Sequence, residues 1–524
     1  MTDSTNRVET RGPGELDTEH DGHLPGAKLD QFSSLMARLL SVWIVLIAAL
    51  SFLTVPWLKS ANGGNLTQSM TWFYHALMLP AAILLLILCT RVFVTHDWVR
   101  YLISHSGLVA IFEGVGFLIL GYGTLHNVSS LTSFGFWIIM PCTIELFLVT
   151  VVFVVDLAYA AFRPPPGESV SPQKAEIRWA MFFSGVSVLT WVVLGLAAAA
   201  SEIGISWSFW AGWQHEATST LVGNIITSHS HGMLPSFMAV IVFLAAEAFG
   251  YSALVGIRKQ LARVGAGIML AGIALYSGVY AVSAIGTFVI PAWFPSGPGG
   301  VNGIAMDDTM TGLVGVGALI LAAAMLPELR GSFRRTTSVV KERFNPVRLG
   351  VYMTYLMATV VMFLYGFYIE MNESKFGFNQ LPAAQAVGDQ VFTRTHLLLV
   401  FGSLPIIAIF LLAAELLGDT SGRGAALKRW MSGSILVGMV VATMGLGIWV
   451  FSTPSHATSW SVGNVGAILY IVGQVLILLG AAIELFMMRS LETQALSPIH
   501  VPSVLTPEGA GSSWYVHHGN TTSH

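Results

Sequence analysis

The chain has 524 residues, of which 54% are hydrophobic and 10% charged, with 25 basic against 28 acidic side chains. A soluble chain of this length carries roughly 130 charges, so a cytosolic enzyme, a disordered chain and a nucleic-acid binder are excluded. The two cysteines, Cys89 and Cys142, lie in apolar runs and offer neither a disulfide framework nor a thiolate metal site.

In chain order, residues 1–35 are polar and mixed in charge and read as a tail, not a cleaved signal. Apolar stretches of about 20 residues, each long enough to span a bilayer as a helix, then recur twelve times. They cover 36–57, 70–94, 101–122, 131–160, 177–200, 221–251, 263–290, 309–328, 349–371, 392–417, 430–451 and 461–488. Residues 491–524, rich in Pro, Ser, Thr and Gly, read as a second disordered tail. The expected fold is an all-α polytopic membrane domain over 36–490 in contact with lipid.

Basic residues sort between alternate connections. Those after even-numbered spans hold Arg91 and Arg100; Arg163, Lys174 and Arg178; Arg258, Lys259 and Arg263; six residues from Arg330 to Arg348; and Arg423, Lys428 and Arg429. Connections after odd-numbered spans hold little beyond Lys59 and Lys375. The positive-inside rule then places both tails in the cytoplasm.

A related string opens spans 2, 6 and 10: Trp72-Phe-Tyr-His75, Ser228-His-Ser-His231 and Thr393-Arg-Thr-His396. Spans 6 and 10 also share Ala-Ala-Glu, ending at Glu247 and Glu415, and spans 4 and 12 share Ile-Glu-Leu-Phe around Glu145 and Glu484. His75, His231 and His396 lie 156 and 165 residues apart, one four-helix unit each time. A fixed period of this kind marks a repeated structural unit. The units run over about 36–165, 176–330 and 348–488, in a pseudo-threefold arrangement.

His75, His229, His231 and His396 each fall in the first turns of a helix entering from outside, some 8–15 Å deep at about 1.5 Å per residue. A lone histidine there is as readily an interhelical hydrogen-bonding group as a ligand. Four at one depth point to a site, because polar groups inside a membrane are costly. In His229-Ser-His231 the two side chains point about 160° apart around the helix. They cannot readily chelate one ion, but they can serve two large planar haems on opposite sides of the helix.

On these residues the chain resembles catalytic subunit I of the haem-copper oxidase superfamily, its nitric oxide reductase branch in particular. Thr227-Ser-His229-Ser-His231 looks like that family's tenth-helix His-x-His, and Trp72-x-x-His75 resembles its copper- or iron-binding sixth helix. The resemblance implies twelve helices with a pseudo-threefold axis, one or two haem b groups, and copper or non-haem iron as a second metal. It also implies a bacterial or archaeal inner membrane, and an oxidase- or reductase-like enzyme. The departures are specific. Here His-x-His lies on span 6, span 10 carries Arg394 two residues before His396, and no span holds an adjacent histidine pair.

Two placements follow. In straight register His75 and His396 hold a low-spin haem, with His229 or His231 near the second site. In register rotated by one unit, His231 and His396 hold the low-spin haem, His229 holds the second, and His75 faces its open side. The rotated placement uses every intramembrane histidine. Either leaves the second metal under-ligated, with His126, at the outer end of span 3, as an additional ligand.

Glu113 and Glu145 fall mid-membrane and read as proton-relay or ligand-supporting carboxyls, with an interhelical polar clamp as the equal alternative. Arg394 reads as a haem-propionate partner or as a snorkelling side chain. No c-type haem attachment sequence is present, so electrons would come from a cytochrome c, a cupredoxin, quinol or a partner subunit. A non-catalytic haem b electron-transfer subunit fits the same residues. The competing classes are a twelve-helix transporter, which keeps its ionisable groups nearer the midplane, and a non-haem metal enzyme, which recruits carboxylates among its histidines.

Overall fold

The computed structural model describes residues 25–54, 61–93, 96–162, 171–202, 218–280, 310–325, 350, 404–417, 422–452 and 465–487. Among these the regular structure is helical throughout. The helices are α1 (Pro25–Thr54), α2 (Leu66–Val92), α3 (Asp97–His126), α4 (Ser129–Phe162), α5 (Pro172–Glu202), α6 (Thr218–Ala248), α7 (Gly256–Leu275), α8 (Met310–Met325), α9 (Leu404–Leu417), α10 (Gly422–Ser452) and α11 (Val465–Met487). Eight of them, α1 to α5, α7, α10 and α11, are long and apolar enough to cross a membrane. The chain is thus an integral multi-pass membrane protein. Span 9 apart from Gly350, and the first part of span 10, lie outside the described residues.

Local signals set the helix ends. Asn65 accepts from the Gln68 backbone N–H at 3.0 Å and caps α2, satisfying one of the free donors of a first turn. Asn127 takes a left-handed conformation at φ 53° and ends α3. α1 starts within the stretch expected to be a tail, because its polar first turns have partners. Asp30 accepts from Arg91 at 3.1 Å and also receives Arg100. Arg91 further donates to the Asp30 carbonyl and to Ser34.

The helices run up and down. Basic residues gather where α1 begins, α2 ends and α3 begins, and likewise at the α4–α5, α6–α7 and α9–α10 connections. There Arg178 donates to the Ala160 carbonyl, Arg258 to the Ala324 carbonyl, and Lys428 pairs with Glu415 at 3.7 Å. His96 meets the buried Asp156 at the same end. At the other end the turn before α2 seals the end of α3, with Ala61 and Asn65 N–H groups on the Leu125 and Thr124 carbonyls. Neighbouring helices approach closely where glycines meet. A Cβ on Gly135 would fall 2.9 Å from the Gly116 carbonyl, and one on Gly438 2.6 Å from that of Gly473. Small residues at contacts of this kind let helices pack without a hydrophobic driving force.

The inner helices are α2 and α6, which carry two of the histidine strings, and α9. α2, α6 and α9 each touch the other two, while α3 and α4, α5 and α7, and α10 and α11 flank them. α4 shows the peripheral pattern, with Phe134, Trp137, Leu148 and Val155 exposed along its outward face.

Candidate functional site

His75 stands ten residues into α2 and His229 twelve into α6, on two inner helices in contact. Their rings lie nearly parallel, 10° apart in plane, with centroids 6.2 Å apart. Each is anchored by Nδ1. His75 Nδ1 donates to the Thr71 carbonyl one turn back, and His229 Nδ1 to the Trp191 carbonyl of α5, both at 2.7 Å. A carbonyl can only accept, so both Nδ1 atoms carry hydrogen and Nε2 is the atom left for a ligand. This is the arrangement of a metal-binding histidine, whose second nitrogen is fixed by an outer partner.

The surroundings are aromatic and close. Phe117 of α3 lies 5.1 Å from the His75 ring at 26°, and Trp72 sits 5.9 Å from both rings. Tyr74 meets His75 edge-on. On the other side Gly195 of α5 lets the His229 ring approach. A Cβ there would lie 2.6 Å from its Cε1 and 2.8 Å from its Nδ1.

The inner helices carry prolines just past their histidines, Pro80 in α2 and Pro235 in α6. Proline has no N–H and leaves the carbonyl four residues back without its helical donor. For Pro80 that carbonyl belongs to Ala76, and the Trp43 indole of α1 donates to it at 3.0 Å. In α6, Ser236 follows the proline and receives the Trp191 indole N–H at 3.1 Å. Trp43 and Trp191 are the supporting residues that sequence reasoning missed. Their signal was a tryptophan deep inside an apolar span, away from the interfacial positions where this residue collects.

The remaining predicted site residues are distributed as follows. His231 lies in α6, with its side chain outside the described residues, as are Arg394 and His396 altogether. His126 ends α3 with its ring 4.4 Å from Tyr122. It is nine residues beyond Phe117, about 14 Å along the axis, so the structure does not bring it to the pair. Glu113 lies one turn before Phe117 and is fully buried. One of its oxygens accepts from Thr143 of α4, and the other has no partner among the described residues. Glu145 is half-buried on α4. Among the described residues no three histidine, cysteine, aspartate or glutamate side chains converge on one point.

No known protein family, curated protein or solved structure matches the chain. The functional reading therefore rests on the residues themselves.

Proposed function

We propose that the chain is a haem-bearing membrane oxidoreductase subunit, a divergent relative of the oxidase and nitric oxide reductase catalytic subunits, in which His75 and His229 hold the iron of a haem b. The observation that carries the reading is the histidine pair itself. The two rings lie nearly parallel with centroids 6.2 Å apart, and each keeps Nε2 available while Nδ1 is tied to a carbonyl, so both could donate to one group. The donor set fits the group. Both histidines are nitrogen donors with Nδ1 tied to a carbonyl, and among the described residues Phe117, Trp72 and Gly195 flank them without charge.

A haem in this position supplies one-electron transfer at a fixed depth in the membrane. His75 and His229 would hold such a group through Nε2, with their rings fixed by the Thr71 and Trp191 carbonyls. The pair would then serve electron transfer, and a gas-binding haem or second metal would fall to His231 and His396. This pairing is neither of the two placements drawn from the sequence. The rotated one also sets His75 towards the haem of His229, but it leaves that side open and gives the low-spin haem to His231 and His396. The basic end is cytoplasmic on this reading, and the pair lies in the outer half among twelve spans in three units. Oxygen or nitric oxide would be the substrate, and a cytochrome c, cupredoxin, quinol or partner subunit the electron donor.

Reduced-minus-oxidised spectra of purified protein test this directly. A Soret band and a b-type α-band are expected, and His75→Ala and His229→Ala each remove the low-spin component. Folded protein that stays colourless with haem supplied overturns the reading and favours the transporter class. Spectra unchanged in both variants overturn the pairing.

A further inference from the structure

Trp191 is fully buried in α5 and is held from three sides. Its indole N–H donates to Ser236 of α6 at 3.1 Å. Its ring lies over Gly232, where any Cβ would collide with it. Tyr276, the first residue of a π-helical turn (Tyr276–Tyr280) that follows α7, meets the ring edge-on at 6.1 Å and hydrogen-bonds Thr311 of α8. The same region holds a cluster of three hydroxyls. Ser187, one turn before Trp191, lies 2.6 Å from Ser236 and 2.5 Å from Ser277 in the π turn. The cluster therefore joins α5, α6 and the end of α7. π turns recur at functional sites because they re-aim side chains within a helix.

All of this grip converges on one output. The Trp191 main-chain oxygen accepts from His229 Nδ1, so wherever Trp191 is held, the His229 ring is held with it. We propose that Trp191 is the positioning residue of His229: it sets the ring's direction and its Nδ1–H tautomer, and the Ser187–Ser236–Ser277 cluster locks it to the π turn. The functional meaning rests on the haem reading above, but the geometry does not. An anchored Nδ1–H keeps Nε2 unprotonated and makes it a stronger donor to a metal.

The test uses full-length protein in detergent with 15N-labelled histidine, prepared first without haem. The His229 ring signals are assigned by their loss in His229→Gln, and they should show the Nδ1–H tautomer. Trp191→Phe keeps the ring and the carbonyl but removes the indole donor, and Ser236→Ala removes its acceptor. Each is expected to lower the Nδ1–H to Nε2–H ratio about fivefold, the worth of roughly one neutral hydrogen bond. Ser236→Thr retains the hydroxyl and should restore the ratio. In haem-loaded protein the same two variants should raise the midpoint potential, because a less basic ligand stabilises the oxidised iron less. A ratio unchanged in both variants, even with a lowered unfolding temperature, overturns the proposal and leaves the cluster as packing alone. A ratio that moves in protein unable to take up haem upholds the positioning role while removing the haem reading.

Discussion

Gly195→Ala is the sharpest single-atom probe of the site. The added methyl would stand 2.6 Å from His229 Cε1, 2.8 Å from Nδ1 and 3.2 Å from Nε2. Ordinary carbon contacts lie at about 3.5–4.0 Å, so the ring must retreat by about 1 Å or α5 and α6 must separate. Either motion draws Nδ1 from the Trp191 carbonyl, now at 2.7 Å, to beyond about 3.5 Å, where the hydrogen bond is lost. That bond contributes about 1 kcal/mol, and overpacking a close contact costs about 1–3 kcal/mol. Alanine's better helix propensity offsets up to about 1 kcal/mol. The net expectation is a destabilisation of about 1–4 kcal/mol, read by thermal unfolding in detergent. Because the displaced ring is the proposed ligand, the low-spin haem signal should fall by more than the stability alone requires. Gly267→Ala on α7, where a Cβ meets nothing within 4 Å, is the matched control and should leave the spectrum unchanged. A Gly195→Ala protein with wild-type stability and spectrum would refute the placement of His229 against α5.

Glu113→Gln tests the buried carboxyl on α3. The amide keeps an oxygen for Thr143 and removes the charge that burial penalises, so thermal stability should be unchanged or higher, whereas Glu113→Ala should lower it. A marked loss in Glu113→Gln would mean that a negative charge is required there. Orientation is checked by single cysteines at Asn62 and His96, both exposed and at opposite ends of α2, in a background lacking Cys89 and Cys142. A membrane-impermeant thiol reagent on intact cells should label position 62 and spare 96, and the reverse pattern would invert the proposed topology.

Much of the architecture was legible because a bilayer imposes a long apolar run on every spanning helix. The boundaries of α2 to α5 depart from the expected spans by only a few residues, and the capping residues Asn65 and Asn127 account for part of the difference. The early start of α1 was not legible, because Asp30 gains its value from arginines some 60 and 70 residues away. Histidine depth could be read from distance along a helix. Partnership could not, since the meeting of His75 with His229 depends on how α2 and α6 pack and on Gly195 being small. The serine cluster was invisible for a similar reason: isolated serines in apolar spans carry no pattern until three helices bring their hydroxyls together.

Two helix pairs share a contact that the histidine strings do not show. In α1 and in α5 a tryptophan reaches across to the proline-bearing turn of the following helix. Trp43 donates to the carbonyl that Pro80 leaves free, and Trp191 donates to the serine beside Pro235. The two contacts are not in strict register. Trp43 and Pro80 are 37 residues apart, and Trp191 and Pro235 are 44, a difference of seven residues or about two helical turns. A proline turn inside a membrane leaves backbone polar groups that must find donors nearby, and Trp43 meets that requirement for the Ala76 carbonyl, whereas Trp191 donates to a side-chain hydroxyl. The two crosslinks tie α1 to α2 and α5 to α6, each to a helix that carries one histidine of the pair.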